Sequence, residues 1–226
     1  MKPETKTTMA GPESSDKRRY RGMDGDERQA ARRTGLLEAG LELFGTVGYP
    51  ATTVEAVCRQ AGLAKKYFYE SFADREALML TIYDDLIRQG QEAALIAVAE
   101  AGPTIEQRIT AGLTATVHAF GTDPRVTRLA FREIIRVATH GSEERYRQVK
   151  RDFAEFIIGV LTETVGIPRT KRIQMGTTQL VGAFNELMTE RVLGHLDATL
   201  DEITEISITL FTVLYEQYMR ELAEGR

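Results

Sequence analysis

The amino-acid sequence predicts an all-α protein. Apolar residues recur at the helical spacing of i, i+3, i+4 and i+7 along most of the chain, and glycine or proline ends each such stretch. No stretch of useful length alternates apolar and polar residues as a strand does, and no internal repeat is present. With 226 residues, the chain is long enough to bury a sizeable core.

Residues 1–25 differ from the rest in composition. They mix Lys, Pro, Thr, Ser and Gly without apolar periodicity, so burial cannot offset the entropy of ordering them, and we expect a disordered basic tail. Its basic cluster consists of Lys17, Arg18, Arg19 and Arg21. The cluster is either a solvated tail or an arm that enters a DNA minor groove. The first helix is predicted from Asp26, with Gly48 and Pro50 as stop signals.

A hairpin of two short helices is predicted after this stop. The first hairpin helix has a narrow apolar stripe made of Val54, Val57, Cys58 and Ala61. Gly62 follows where a helix end commonly takes the left-handed conformation. Either Thr52 or Thr53 can cap this helix, and Thr52 with Glu55 has the spacing of a capping box.

The second hairpin helix has two unlike faces. Phe68 and Phe72 are four residues apart and share the inner face, whereas the other face carries Lys65, Lys66, Tyr69 and Glu70. Such a hairpin fits an ordinary amphipathic pair with a solvated face, in which Lys66 and Glu70 form an ion pair. It also fits a helix-turn-helix DNA reader, because the short turn forces the helices to cross.

The rest of the chain predicts one long helix and five further helices. Asp74 is a good N-cap for the long helix, which continues to about Ala99. The others are expected at about 105–120, 126–137, 142–161, 169–195 and 200–222. The final helix carries apolar residues over more of its circumference than one contact would use. It is therefore either buried on all sides or in contact with another chain.

Charge and cysteine content limit the class of protein. The formal net charge is −4, which excludes a uniformly basic protein that coats nucleic acid. Residues 1–80 hold 13 Lys and Arg against 12 Asp and Glu, and the remainder holds 16 against 21, so any affinity for phosphates belongs to the first third.

Cys58 is the only cysteine, which excludes an intrachain disulfide, and we expect it to be a small buried hydrophobe. Without an apolar run of membrane-spanning length or a signal-peptide core, we expect a soluble, cytoplasmic protein with no membrane partner.

Motifs of common enzyme sites are absent from the sequence. It contains no HExxH, no Glu-x-x-His pair, no glycine-rich phosphate loop and no GxSxG. His118, His140 and His195 lie apart, without carboxylates at ligand spacing. The sequence therefore predicts no catalytic residue, no metal site and no cofactor.

The hairpin and its flanks resemble the TetR family of bacterial transcriptional regulators. The resemblance covers about residues 27–85 and rests on motifs found in order: Gly48 and Tyr49, Thr52 and Thr53, Ala61 to Leu63, Tyr67 to Phe72, and Asp74 to Leu78. It implies a basic tail (1–25), a three-helix helix-turn-helix DNA-binding domain (26–73) and a helical ligand-binding and dimerisation domain (74–226). Two residues depart from the family pattern, since Ala64 stands where serine is usual and Glu70 brings a negative charge to the DNA side.

The resemblance also implies roles for individual residues. The implied DNA contacts are Thr53, Lys65, Lys66, Tyr67, Tyr69 and Arg75, with Thr53, Tyr69 and Arg75 on the backbone and the others facing the major groove. Candidate lining for a ligand pocket consists of Phe120, Phe131, Phe153, Phe156, Phe184 and Met188, which also fit plain core. The implied partners are an operator DNA duplex, a small-molecule effector and a second copy bound through 169–195 and 200–222.

Three functions follow from these observations. The first is a ligand-responsive repressor that releases a palindromic operator when a small apolar molecule binds. The alternative is a helical small-molecule-binding protein or enzyme without a DNA function, which the negative charge of Glu70 favours. The third is a DNA-binding dimer that does not respond to a ligand and therefore has no cavity of drug size.

Overall fold

The computed structural model describes residues 13–137 and 142–224, with side chains for 25–137, 144–163 and 166–224. This part of the chain is all-α, as predicted, with ten α-helices and one π-helical segment. The α-helices are α1 (Glu13–Thr46), α2 (Val54–Ala61), α3 (Lys65–Ser71), α4 (Arg75–Glu100), α5 (Ile105–Gly121), α6 (Pro124–Arg128), α7 (Ile134–Val137), α8 (Ser142–Val165), α9 (Lys171–Leu193) and α10 (Leu200–Ala223). The π-helical segment (Leu129–Glu133) joins α6 to α7.

Helices α1, α2 and α3 form a three-helix unit, called the head below; the remaining helices form the body. Side chains buried in the head include Leu36, Phe44, Val57, Phe68 and Phe72. Gly62 ends α2 in the left-handed conformation, with φ 66° and ψ 29°, as expected. The N–H of Leu63 donates to the carbonyl oxygen of Cys58 at 2.9 Å, which closes the turn into α3. Cys58 is buried, and burial raises the pKa of its thiol.

Side-chain caps fix where two helices of the hairpin region begin. Thr53, rather than Thr52, caps α2, because its Oγ1 accepts the N–H of Ala56 at 3.1 Å. Thr52 is buried instead and donates its hydroxyl to the carbonyl oxygen of Gly48 at 2.8 Å. The Thr52–Glu55 spacing is thus not used as a capping box. Asp74 caps α4 as predicted, with its Oδ1 accepting the N–H of Ala77 at 2.8 Å.

The first helix begins earlier than the sequence predicted. It starts at Glu13 rather than near Asp26, so residues 13–25 of the expected disordered tail are helical. Nucleation rather than propagation is the costly step of helix formation, so a helix that is already nucleated by its buried part can extend towards the N-terminus without an apolar face. Residues 1–12 and the side chains of the basic cluster at 17–21 lie outside the described part of the structure.

Helix α4 joins the head to the body. Leu78 and Met79, near its start, are fully buried in the same core as the head residues, and Leu86 continues that core into the body. Farther along, Gly90 lies against the ring of Phe120, where an added Cβ would come within 2.6 Å of Cε2. A glycine at this position therefore allows α4 and α5 to pack closely.

The predicted helix at 126–137 contains a π turn. Leu129, Ala130, Phe131 and Glu133 are all buried in this segment, and Glu133 has no exposed surface. An amphipathic α-helical pattern does not predict a buried carboxylate, which is why the sequence missed this turn.

Helices α9 and α10 expose an apolar surface in the single chain. Helix α10 buries Ile203, Phe211 and Tyr218 on one face. Large exposed apolar side chains on the two helices are Met175, Leu193, Ile206, Leu210, Val213, Leu214, Met219 and Leu222. The single chain therefore does not bury α10 on all sides. Within the described residues, none of the helices is apolar over enough length to span a bilayer.

Replacing Gly62 with alanine should destabilise the head. The left-handed conformation costs a residue with a Cβ about 1 kcal/mol, and nothing within 4 Å of the added atom would compensate. Gly35→Ala is the matched control, because Gly35 is inside α1 with open space around it and the change should stabilise by about 0.5 to 1 kcal/mol. Urea unfolding measures both changes. If the free energy of unfolding changes by the same amount and in the same direction in both variants, the left-handed conformation of Gly62 does not matter for stability.

Candidate nucleic-acid interface and ligand cavity

Helix α3 is held to the head by two aromatic side chains. Phe68 and Phe72 are buried, with their ring centroids 5.8 Å apart, as the inner face predicted. The helix begins after Ala64, which supplies no side-chain hydrogen bond, so the cap that a serine would give is missing. Among the described residues, most side chains on the outer face of α3 are exposed to solvent.

The outer face of α3 carries cationic and aromatic groups. Lys65, Lys66 and Tyr69 are exposed, as is the acidic Glu70. Tyr67 is half-buried, because the Arg32 guanidinium lies 4.4 Å from its ring centroid on one side. The Lys66 Nζ lies 4.7 Å from the same ring, so Lys66 contacts Tyr67. The structure thus groups the predicted major-groove residues on one exposed surface.

Lys65 is paired within the protein. Its Nζ donates to a carboxylate oxygen of Glu55 on α2, and both side chains remain more than half exposed. The hydrogen bond from Lys65 lowers the pKa of Glu55 to about 2. Glu55 is therefore ionised at neutral pH, and DNA would have to compete with it for Lys65.

The start of α2 presents an exposed threonine to solvent. Thr53 lies at the N-cap, and its hydroxyl oxygen already accepts the N–H of Ala56. The hydroxyl also hydrogen-bonds the Glu55 carboxylate, so a phosphate oxygen at the positive end of the helix dipole would compete with Glu55 for its proton. The geometry fits the role that the resemblance implies.

Arg75 is engaged inside the protein. One of its guanidinium nitrogens donates to the carbonyl oxygens of Tyr49, at 3.0 Å, and Thr52. The guanidinium also lies 4.2 Å from the centroid of the Tyr49 ring. Arg75 therefore fastens the loop before α2 to α4, and only its remaining N–H groups can reach a phosphate.

Two arginines that support α3 were not predicted from the sequence. Arg33 on α1 donates to the carbonyl oxygen of Ser71 at 3.0 Å and lies over the Phe72 ring. Arg32 covers Tyr67 in the same way, as described above. The only signal was the arginine-rich polar half of α1, which does not say what the side chains contact.

A cavity of about 150 Å³ lies in the body, between α4, α5, the π-helical segment, α8, α9 and α10. Five of the six predicted residues line it: Phe120, Phe131, Phe153, Phe156 and Phe184. Met188 does not line it. It lies one turn beyond Phe184 on α9 and is fully buried in the main core.

The phenylalanine rings form a connected cluster in the cavity wall. Phe131 makes edge-to-face contacts with Phe120 and Phe184, with centroids 5.9 Å apart in each pair. Phe120 reaches Phe153 at 6.5 Å, and Phe153 reaches Phe156 at 5.8 Å. The rings therefore form a continuous aromatic part of the cavity wall, with the offset and edge-to-face geometry that aromatic pairs favour.

Few polar groups reach the cavity. Arg108 and Lys150 contribute to its wall, and Lys150 Nζ also lies 4.3 Å from the centroid of the Tyr146 ring. Asn185 is a further lining residue, although its Nδ2 already donates to the carbonyl oxygen of Val181. Burial raises the pKa of the lining residue Tyr83 well above its usual range. The cavity therefore suits a mainly apolar molecule.

The cavity residues predicted from the sequence do not include most of the cavity wall on α5. Ile105, Ile109, Leu113, Val117 and Phe120, the apolar face of that helix, all line the cavity. The periodicity identifies this face as buried but does not distinguish a cavity wall from solid core. Within the described residues, no group of three or more His, Cys, Asp or Glu side chains is placed to hold a metal ion.

Comparisons with known proteins agree with this architecture. Residues 36–82 match the family model described as bacterial regulatory proteins, tetR family. A stretch of 123 residues is 29% identical to the HTH-type transcriptional regulator EthR of Mycolicibacterium smegmatis and covers 54% of this chain and 54% of that protein. The match thus spans about half the length of this curated relative.

Solved structures share the fold over most of the chain. FadR from Bacillus subtilis, solved in complex with stearoyl-CoA, has a TM-score of 0.66 at 16% identity and covers 80% of this chain and 96% of that one. The fatty acid degradation regulator FadR from Bacillus halodurans has a TM-score of 0.64 at 14% identity and covers 81% of this chain and 94% of that one. An N-terminal helix-turn-helix domain joined to a helical C-terminal domain is the shared architecture.

Arg75→Ala should loosen the head even without DNA. It removes charge-assisted hydrogen bonds to two loop carbonyls, which are worth about 1 to 3 kcal/mol. We expect a lower free energy of unfolding and faster amide exchange in residues 49–57, measured by mass spectrometry. Arg59→Ala, an exposed change on α2, is the control. If amide exchange in residues 49–57 is the same in Arg75→Ala and the wild type, Arg75 does not hold the loop, and its only role would be a contact to DNA.

Proposed function

We propose that this chain, whose residues 36–82 match the tetR family model, is a cytoplasmic transcriptional repressor of that family that releases its operator when a small molecule binds. The observation that carries the proposal is the outer face of α3. It presents Lys65, Lys66 and Tyr69 to solvent from a head that shares its core with a cavity-bearing body. A reading helix and a ligand cavity in one packed unit are the parts that ligand-controlled DNA binding requires.

In the proposed complex, α3 lies in the major groove of the operator. Lys65, Lys66 and Tyr67 face the bases, and Tyr69 and Thr53 contact the backbone. Arg75 holds the loop before α2 and adds a phosphate contact through its remaining N–H groups. Lys65 exchanges its bond with Glu55 for a bond to DNA.

A homodimer would bring two heads to the two halves of a palindromic operator. The exposed apolar side chains of α9 and α10 favour this assembly, because single chains rarely expose so many large apolar groups on neighbouring helices. Twofold symmetry would pair the same surface of each copy. The two reading helices would then be about 34 to 36 Å apart, one turn of DNA.

The proposed effector is mainly apolar. The cavity of about 150 Å³ is smaller than the pockets that hold drug-sized molecules, which span about 300 to 1,000 Å³, and a cavity below that size is also what the ligand-independent DNA-binding dimer predicts. A larger effector would therefore have to turn phenylalanine rings aside. The similarity of fold makes stearoyl-CoA, the molecule bound to FadR from Bacillus subtilis, a reasonable first probe.

The alternative is a helical small-molecule-binding protein without a DNA function. Two exposed carboxylates favour it, because Glu55 and Glu70 lie on or beside the outer face of α3. Either negative charge would repel DNA phosphates. DNA binding therefore distinguishes the two functions.

The test is the affinity for DNA fragments upstream of the protein's own coding region, measured by fluorescence anisotropy at several salt concentrations. Lys65→Ala should weaken specific binding by about 1 to 3 kcal/mol, because a contact to DNA is lost. Glu55→Gln should strengthen binding, because Lys65 is released and a negative charge is removed. The control is Arg88→Ala, which makes the same charge change on an exposed part of α4.

Stearoyl-CoA is then added to the wild-type complex. Release of DNA, corresponding to about 1 to 3 kcal/mol of coupling, would support the effector class. If no upstream fragment binds at moderate salt, the alternative function replaces the repressor. If DNA binds but acyl-CoA thioesters of several lengths have no effect, a long acyl-CoA is not the effector, and the ligand-independent DNA-binding dimer gains support.

The dimer is tested by placing a charge on α10. Val213→Glu should give a monomer with much weaker operator binding, because the interface would have to bury an unpaired carboxylate. Ile96→Glu, at a similarly exposed apolar residue on α4, should remain a dimer. Light scattering after size-exclusion chromatography measures the molecular mass. A Val213→Glu dimer would exclude this face as the interface.

A further inference from the structure

Glu133 is a fully buried carboxylate at the junction between the head and the body. Its Oε2 accepts the backbone N–H of Tyr49 at 2.9 Å. Its Oε1 accepts the Nε–H of Arg128 at 3.2 Å, and Arg132 and Arg136 approach within 3.8 and 3.9 Å. A buried charge is stable only with such partners. One of those partners is the backbone of the loop that precedes α2.

The junction is shaped for this contact. Gly48 has φ +99°, and a Cβ there would lie 3.2 Å from Oε2 of Glu133 and 3.1 Å from the guanidinium of Arg128. Arg128 also donates to the carbonyl oxygen of Thr46 at 2.6 Å, at the end of α1. Polar groups from α6 and the π-helical segment thus hold the end of α1 and the loop after it.

The same π turn forms part of the cavity wall. Ala130 and Phe131 line the cavity, and the Phe131 ring contacts both Phe120 and Phe184. Only one residue separates Phe131 from Glu133. Because peptide units are planar and stiff, a displacement of the backbone at 131 also moves residue 133.

A π turn has a defined alternative conformation. Returning this segment to the α-helical register would rotate one side of it by about 100° and shift it by about 1.5 Å. A hydrogen bond of 2.9 Å from Glu133 to the loop cannot survive such a movement. The α-helical register would thus be a second discrete arrangement of the segment, and it would not hold Tyr49.

We propose that Glu133 is a positioning residue that couples the cavity to the head. A ligand that displaces the Phe131 ring moves the π turn, breaks the bond to Tyr49 and releases the loop before α2 from its DNA-binding position. This inference rests on the proposed function of the cavity and adds the contact through which it regulates the head.

Amide exchange of Tyr49, resolved by NMR in the full chain without DNA or ligand, tests the coupling. Phe131→Trp enlarges a ring in the cavity wall and should speed exchange at Tyr49 by about tenfold or more, the loss expected for a hydrogen bond to a charged group. Phe156→Trp is the matched control, because it enlarges another cavity ring on α8, outside the π turn, and should leave Tyr49 unchanged. Glu133→Gln should speed exchange by itself.

A second measurement compares the operator affinity of the wild type and Glu133→Gln with and without stearoyl-CoA. For each protein, the operator affinity without stearoyl-CoA is divided by the affinity with it. If Glu133 couples the cavity to the head, this quotient should be at least about threefold smaller in Glu133→Gln than in the wild type. Exchange at Tyr49 that is the same in Phe131→Trp, Phe156→Trp and the wild type would overturn the inference, whatever the DNA assay gives. Failure of the wild type to bind DNA would overturn the proposed function instead, and the exchange comparison would still decide the role of Glu133.

Discussion

One hydrophobic core runs without a break from the head into the body. Leu36 and Phe44 of α1, Phe68 of α3, Leu78 of α4 and Leu129 of the π-helical segment belong to the same buried cluster. The head is therefore packed against the body, rather than tethered to it by a free linker. Any movement of the head must slide or repack side chains, and packed cores change between discrete arrangements more readily than they deform continuously.

The sequence predicted the parts of the fold that depend on local signals. Gly62 and Asp74 mark helix ends through their own conformation and hydrogen bonding, and the apolar face of α5 follows from its period. Contacts between distant residues left no such signal. The bond from Glu133 to Tyr49 joins positions 84 residues apart, and a buried glutamate looks like a surface residue in a sequence. The early start of α1 was missed because a helix that is already nucleated can extend without an apolar pattern.

In the candidate site, too, local sequence patterns identified the residues but not their contacts with distant parts of the chain. Sequence motifs located the outer face of α3 and five of the cavity rings, because residue type and spacing determine which side of a helix a residue occupies. They could not show that Lys65 is paired with Glu55 or that Arg75 binds two loop carbonyls. Both side chains are engaged in the free protein, and the Glu55 carboxylate partly offsets the attraction of Lys65 to DNA. Met188 was misplaced because a spacing of four residues gives a shared face but not a shared depth.

The phenylalanine rings of the cavity wall affect both which ligand the cavity accepts and how stable the fold is, and this limits how the protein can evolve. Each ring fills space in the body and also defines the shape that a guest must match. Trimming a buried phenylalanine to alanine to admit a bulkier molecule costs about 3 to 5 kcal/mol of stability, a large fraction of what a domain of this kind has in total. A lineage that changes its effector through these rings must therefore first acquire stabilising substitutions elsewhere. The order in which substitutions accumulate in such a protein is constrained by its packing.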